Sequence, residues 1–510
     1  MRAGSRLADE VAVPPGRRAW TVGVMCTAVG LVIAMVTIVN AALPALASGT
    51  GATQAEQTWI VDVYTLVLAA LVLPAGAVGD RRGRRGVLVA GLLVFAAGCA
   101  APVFLATPFW LVAARAVTGL GAAMIMPATL SIINASFPPE RRGRAIGIWA
   151  AVAGVGGLGG LVLAGVLLRH FSWHSVFLGP AALSVVLVAA SLTVPTSRDG
   201  HPRRFDLLGA VLGAAAIGAV VFGILRVADL GWGHGLVLGS IAGGLVLAAL
   251  FVVHELRTEA PLLDVRLFGD AAFATGSVSV TVQFTAAFGM FYALAQYLQL
   301  VRGYSALDSG LALWPVAVSL FPLSLASAPL VRRFGLRVVT CAGLAVVVAG
   351  MVLIGALDAD SGYPELAVAV CVLGAGIGVT APAATSAILD NVPPSQYGVA
   401  SAVNDATREI GAALGIALVG SVLSAAYTDS VRTATAALPP AAREAAEGSL
   451  AGALAVASTA GPAGGSVAAA ARDAFTRGMG ISMLALAVLV TAGILAAAVL
   501  GRRRRVQPRG

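Results

Sequence analysis

Lysine is missing from this chain, and all 33 basic residues are arginine. A compositional preference of the genome accounts for that before selective use of guanidinium chemistry does. Charge of either sign is scarce, at 11% of 510 residues against 58% hydrophobic, and the mean hydropathy is +0.91. So apolar a chain cannot keep its surface in water, which excludes an ordinary soluble protein. Cysteine is sparse as well. Cys26, Cys99, Cys341 and Cys371 fall within apolar runs at unpaired spacings, which excludes a disulfide framework and a thiolate metal site. The five histidines, His170 and His174 among them, show no ligand spacing, so no metal is expected. P-loop, nucleotide fingerprint and hydrolytic triad are all lacking. Neither ATP-driven work nor an enzymatic reaction is expected, and no cofactor. A cleavable signal peptide is not expected either: residues 1–19 are polar, and the apolar run from Trp20 to Leu46 is too long for a signal core.

What the chain does have is apolar runs, about fourteen of them, each near the roughly 20 residues that a helix needs to cross a bilayer. They are rich in Leu, Val, Ala and Gly and show no strand-like alternation, which excludes a membrane β-barrel. Only helices remain, because a backbone in lipid must satisfy its own hydrogen bonds. The expected fold class is an all-α integral membrane protein.

The arginines set the topology. Arg17/Arg18, Arg81–Arg85, Arg141/Arg142/Arg144, Arg198/Arg203/Arg204, Arg257/Arg266, Arg332/Arg333/Arg337 and Arg502–Arg505 fall on one side, and the short loops of the other side hold almost none. By the positive-inside rule the loaded side is cytoplasmic, and both termini lie there. The net charge of +9 is thereby explained by topology, and nucleic acid is not expected as a partner. The segment 427–474 carries arginines on the outside, which long loops tolerate. Its Ala/Gly/Ser/Pro content reads as a poorly packed loop.

One turn repeats. GAVGDRRGRR (Gly76–Arg85) is echoed by APLVRRFGLR (Ala328–Arg337), with Gly83 matching Gly335, Arg81 matching Arg333 and Arg85 matching Arg337, an offset of 335 − 83 = 252 residues. A half-length offset implies a duplicated bundle of six spans, as transporter folds often show. The expected division is a tail at 1–19, a six-helix bundle at 20–194, two inserted helices within 195–256, a second bundle at 257–500 and a basic tail at 501–510. In the first copy Gly76 and Gly83 permit close helix approach and a tight turn, and Asp80 sits among Arg81, Arg84 and their neighbours.

That segment resembles the G-x-x-x-D-R-x-G-R-R/K signature of the major facilitator superfamily, where it serves as a cytoplasmic gate lock. LVAARAVTGLGAA (Leu111–Ala123) looks like that family's fourth-span motif. MVTIVNAALP (Met35–Pro44), WIVDVY (Trp59–Tyr64), FSWHSVF (Phe171–Phe177), PLLDVRLF (Pro261–Phe268) and the Asn404–Arg408 stretch resemble its fourteen-span drug:proton antiporter branch. The resemblance implies two six-helix bundles with two inserted central helices. It also implies export of hydrophobic or cationic organic compounds in exchange for protons. Two motifs depart from the branch. Met35 stands where it carries an acid, and the fifth-span motif, which here includes Gly156, Gly160 and Gly165, has Leu161 in place of proline and Ala164 in place of glycine. An exporter of the same fold with altered or absent proton coupling therefore stands as an alternative.

Ionisable groups within spans are functional by default. Arg115 and Asp62 lie at depths that differ by only about 5 Å at 1.5 Å per residue. The expectation is that Asp62 is the proton-responsive carboxylate balancing Arg115 in the central cavity. The bland readings are a wetted helix-end acid for Asp62 and snorkelling to headgroups for Arg115. Asp405, Arg408 and Glu409 stand at i, i+3 and i+4. Because apolar sequence resumes only at Ile410, they are expected near the inner interface, either opposing Arg81 and Arg84 as a charge lock or neutralising one another locally. The glycine run Gly154–Gly160 is expected to serve close helix packing. The expected whole is a monomeric carrier in the plasma (inner) membrane, handling small organic substrates and protons. A non-transporting membrane sensor is the rival from another class.

Overall fold

Once in lipid, each apolar run has one way to satisfy its backbone, and the chain takes it fourteen times. The computed structural model describes residues 15–195, 205–390, 392–436, 438–459 and 464–500. Arg198, Arg203, Arg204 and Arg502–Arg505 lie outside the described residues. Among the described residues fourteen helices are long and apolar enough to cross a membrane, which makes this a multi-pass membrane protein. Spans 1 to 6 are Gly16–Thr50, Gln54–Arg82, Arg84–Phe104, Pro108–Ser136, Pro139–His170 and Ser175–Leu192. Spans 7 and 8 are Leu207–Leu230 and Gly235–Arg257. Spans 9 to 14 are Ala271–Val301, Ala306–Phe334, Leu336–Gly355, Tyr363–Leu389, Pro394–Thr435 and Gly464–Leu500.

Local chemistry marks the ends. Thr53 and Glu56 form a reciprocal capping box at the start of span 2, which satisfies amides that the first turn would otherwise leave open. Proline opens spans 4 and 5 at Pro108 and Pro139, where its missing N–H costs nothing. Gly83 and Gly335 end spans 2 and 10 with φ of +102° and +82°, a conformation that a side chain would strain. The two copies of the repeated turn thus share one backbone solution.

The duplication is visible in the packing. In the first bundle span 1 lies on span 5, span 2 on span 4, and span 3 on spans 4 and 6. In the second, span 9 lies on span 13, span 10 on span 12, and span 11 on spans 12 and 14. Adding eight to each span number converts the first set into the second. The bundles meet through the pairs 2/13 and 5/10, which the same operation exchanges. Small residues permit these contacts, as is usual where lipid offers no hydrophobic drive to helix association. A Cβ on Gly76 would fall within 2.7 Å of the Ala402 Cβ, and one on Gly147 would fall 2.6 Å from the Ser324 carbonyl oxygen.

Spans 7 and 8 form a hairpin laid across the 2/13 seam. Gly218 packs on Ala70 of span 2, while Ile224, Val227 and Val237 cluster with Ala413 and Ala417 of span 13. Trp232 Nε1 donates to Ser421 Oγ of span 13 at 2.9 Å. An apolar groove of about 600 Å³ separates span 2 from the hairpin and is lined by Val67, Ala70, Phe222 and Gly243, without a charged group.

The segment 427–474 departs from expectation. Span 13 continues as helix to Thr435, span 14 begins at Gly464, and the short helices Pro440–Gly448 and Leu450–Thr459 pack between them. Tyr427 Oη donates to the Ala446 carbonyl at 2.8 Å, and Tyr427, Val431, Leu450, Ala453 and Phe475 share a core. The Ala-rich composition that reads as loose loop is also good helix former, and a few large apolar residues supply the rest.

Candidate functional site

Polar chemistry concentrates at two levels of the seam between the bundles. The first is the arginine-rich end of spans 2 and 13. Asp80 Oδ1 accepts from the Gly398 amide at 2.8 Å, and Oδ2 from the Val399 amide at 3.0 Å. These are amides of the first turn of span 13, so a carboxylate of the first bundle caps a helix of the second and meets its positive dipole end. Arg84 donates to Asp80 Oδ1 through Nε at 3.0 Å and Nη2 at 2.7 Å, and also reaches the Pro394 carbonyl. Tyr397 lies between Arg84 and Arg142, whose Cζ atoms are 5.4 and 5.5 Å from its ring centroid. Gly76 and Gly398 make the approach possible: a Cβ on Gly398 would stand 2.5 Å from the Gly76 carbonyl. Arg81 turns elsewhere, over the Phe205 ring at 5.2 Å. In the second copy of the turn the position of Asp80 is held by Arg332 (80 + 252), so the 5/10 side has no matching carboxylate cap.

The second level is deeper. Asp405, Arg408 and Glu409 lie 405 − 398 = 7 to 409 − 398 = 11 residues beyond the capped Gly398. At 1.5 Å per residue that is about 10 to 16 Å along span 13. The expected inner-interface position is therefore corrected. The span starts at Pro394, 410 − 394 = 16 residues before bulky apolar sequence resumes at Ile410, and its first turns hold small residues at the seam instead. The triad does not oppose Arg81 and Arg84, which are engaged as described. Asp405 is fully buried. Its Oδ1 lies 3.8 Å from Arg408 Nη1 and accepts from Asn404 Nδ2 at 3.3 Å, and Asn404 in turn accepts from Thr385 of span 12. Asp405 Oδ2 has no hydrogen-bond partner among the described residues. Arg408 faces Trp149 of span 5 and Phe284 of span 9. Trp149 is fixed by a 3.1 Å hydrogen bond from Nε1 to Thr129 of span 4. Glu409 is half-buried.

Arg115 and Asp62 do not pair. Arg115 is buried within the first bundle, where Nε donates to the Ile60 carbonyl at 2.9 Å and Cζ stands 4.1 Å from the Tyr64 ring centroid. Both of its Nη atoms lack a hydrogen-bond partner among the described residues. Asp62 forms its ion pair with Arg226 at the end of span 7. Arg226 lies over the Trp59 ring at 4.7 Å and reaches Asp229 at 2.9 Å. The expected pairing is corrected because Asp62 faces the inserted hairpin and not span 4. Asp62→Asn should lower the melting temperature of the purified protein, since a charged hydrogen bond of this kind is worth about 1.5–3 kcal/mol. It should leave activity near wild type. Loss of pH-dependent activity in a stable Asp62→Asn protein would return the proton-responsive role to Asp62.

The fifth-span glycines pack two ways. Gly156 and Gly160 meet span 1 at Gly30, Ala34 and Thr37, and Thr37 Oγ1 donates to the Gly157 carbonyl at 2.8 Å. Gly165 faces Leu307 of span 10, and Leu161, at the departed proline position, packs on Gly310. Met35 is fully buried on span 1. Tyr64, Thr129, Trp149 and Phe284 escaped the sequence analysis as site residues. Trp149 left one trace, as the single aromatic in an Ala/Gly-rich stretch at 145–165.

Two six-helix bundles related by an internal repeat, closed together at one end and enclosing charged groups at mid-depth, define a secondary-transporter architecture. The family model described as Major Facilitator Superfamily matches residues 25–416, and the chain belongs to that superfamily of membrane transporters. Among its relatives, the multidrug efflux pump LfrA of Mycolicibacterium smegmatis is 35% identical over 488 residues, covering 95% of this chain and 96% of that protein. The methyl viologen resistance protein SmvA of Salmonella typhimurium is 33% identical, covering 81% of this chain and 84% of that one. The tetracenomycin C resistance and export protein of Streptomyces glaucescens is 30% identical, with 97% and 92% covered. The crystal structure of the human organic anion transporter MFSD10 superposes with a TM-score of 0.63 at 16% identity, covering 94% of this chain and all of that one, which shows the fold alone.

Proposed function

We propose that the protein is a monomeric, proton-coupled exporter of hydrophobic and amphiphilic compounds, organic cations foremost. It would sit in the plasma membrane with its arginine-rich face and both termini in the cytoplasm. The observation that carries this reading is the Asp405–Arg408–Glu409 triad, held at mid-depth between aromatic residues of both bundles. Two carboxylates and one guanidinium leave one negative charge in excess. In a low-dielectric seam that charge needs a partner, either a proton or a cation. A group that accepts one or the other, never both, is the physical core of exchange. Arg408 and Asn404 are the groups beside Asp405. Relatives named for multidrug efflux and methyl viologen resistance support the substrate class.

In this reading Asp80 and Arg84 hold the cytoplasmic end shut while the triad communicates with the outside. Protonation there neutralises the excess charge and releases a cation. The bundles then rock about the 2/13 and 5/10 seams, and a new cation displaces the proton on the cytoplasmic side. Asp62 serves as an anchor for the inserted hairpin. A second reading, export without proton exchange, is favoured by Met35, which puts no carboxylate on span 1 at the position where the branch carries one. Energised inside-out vesicles separate the two. Tetraphenylphosphonium or methyl viologen added outside should alkalinise the lumen as protons leave in exchange. Accumulation of these cations with no proton movement would favour the second reading, and no response of either kind would sink both.

A further inference from the structure

Arg408, like Arg115, lies over aromatic rings without a close carboxylate. A tight Arg–carboxylate pair is often bidentate at about 2.7–2.9 Å. Here the nearest Asp405 oxygen is 3.8 Å from Nη1, while Cζ stands 5.1 Å from the Trp149 ring centroid and 4.5 Å from that of Phe284. Phe288 stacks on Phe284 at 5.9 Å and extends the wall. One side of this cage belongs to span 5 and the other to span 9, so it straddles the two bundles. Its acidic corner is incomplete, because Asp405 Oδ2 is buried with no hydrogen-bond partner among the described residues. Aromatic faces and an under-used carboxylate suit a desolvated organic cation that carries no N–H donors. A guanidinium stacks on such faces as well, but it brings five N–H donors that ring faces do not satisfy as acceptors do.

We propose that this cage is a binding site for a lipophilic monocation, and that Arg408 is its resident occupant, displaced as the substrate enters. The proposal rests on the exporter reading above and adds a self-occupied substrate site to it. While the site is empty of substrate, Arg408 covers the ring faces and spares Asp405 a bare charge in low dielectric. An entering cation takes over the ring contacts and the Asp405 field, and the freed guanidinium stays tethered one residue from Glu409. A resident occupant lowers apparent affinity by the fraction of time that it fills the site. Removing it should therefore tighten binding, which is the opposite of what loss of an ordinary contact does.

The test is equilibrium dialysis of tetraphenylphosphonium against the full-length protein purified in detergent. Arg408→Gln should bind it about tenfold more tightly than wild type, and Trp149→Leu should bind it several-fold more weakly. In the double variant the gain from Arg408→Gln should vanish, because the cage that it uncovers is gone. A gain that survives Trp149→Leu would mean that only the field has changed, and would overturn the proposal. Unchanged or weaker binding by Arg408→Gln would overturn it as well. Should that variant fold poorly, Arg408→Lys serves: it keeps the charge, loses the planar fork and should bind more tightly than wild type. Wild type that transports the probe with affinity indifferent to both Arg408 variants would overturn the resident-occupant proposal alone. Wild type that neither binds nor transports it would overturn the exporter reading too.

Discussion

Glu409→Gln should remove the dependence of efflux on the pH gradient and weaken binding of organic cations by roughly 30-fold or more, the equivalent of about 2 kcal/mol lost with a desolvated charge partner. The variant is close to isosteric, and Glu409 is half-buried at the seam, so the fold should survive. What changes is the charge count. With Glu409 neutral, Asp405 and Arg408 balance, and the excess negative charge that a proton or a cation satisfies is gone. Arg408 would then sit more firmly over Trp149 and Phe284, opposing entry a second time. Transport assays in vesicles with and without an imposed gradient would measure this. A Glu409→Gln protein that still responds to the gradient as wild type does would move the coupling site off span 13.

Asp80→Asn should shift the protein from the state closed on its arginine-rich side toward one open there, by roughly 100-fold, the equivalent of about 3 kcal/mol for breaking a buried charge pair. Asparagine keeps one acceptor for the span 13 amides but loses the charge that faces the helix dipole and Arg84. The open state exposes these groups to water, so the penalty falls on the closed state alone. Spin labels at Arg141 and Arg332, exposed on opposite bundles in a cysteine-free background, would read the change. A second, longer distance should appear in Asp80→Asn. Identical distributions with and without the substitution would mean that the cap does not hold the gate. The asymmetry with Arg332 sharpens the point: the 2/13 side carries the cap and the 5/10 side does not, so no second carboxylate stands to compensate.

The repeat, the fourteen spans and the superfamily were legible because length, hydropathy and the arginine-loaded turns act one element at a time. Partners across helices were not. Span 2 is apolar nearly all round, so nothing in its sequence says whether Asp62 faces span 4 or the inserted hairpin. The depth of Asp405–Glu409 is hidden for a related reason: Gly398 and Ala402 meet Gly76, where only small residues fit, and small residues do not register as an apolar span. The aromatic cage comes from spans 5 and 9, far apart in the chain, and only packing brings it together. Asp80 is the contrary case. Its place in a short glycine-flanked turn marks it in the sequence, although the amides that it caps, at Gly398 and Val399, lie 318 and 319 residues away.

The most direct measurement is proton release on cation binding, followed with a pH electrode in weakly buffered, purified protein. Tetraphenylphosphonium should release up to about one proton per cation bound in wild type, and none in Glu409→Gln, because proton and cation compete for one excess charge. Stoichiometric binding by wild type with no proton released would contradict the exchange mechanism at its centre.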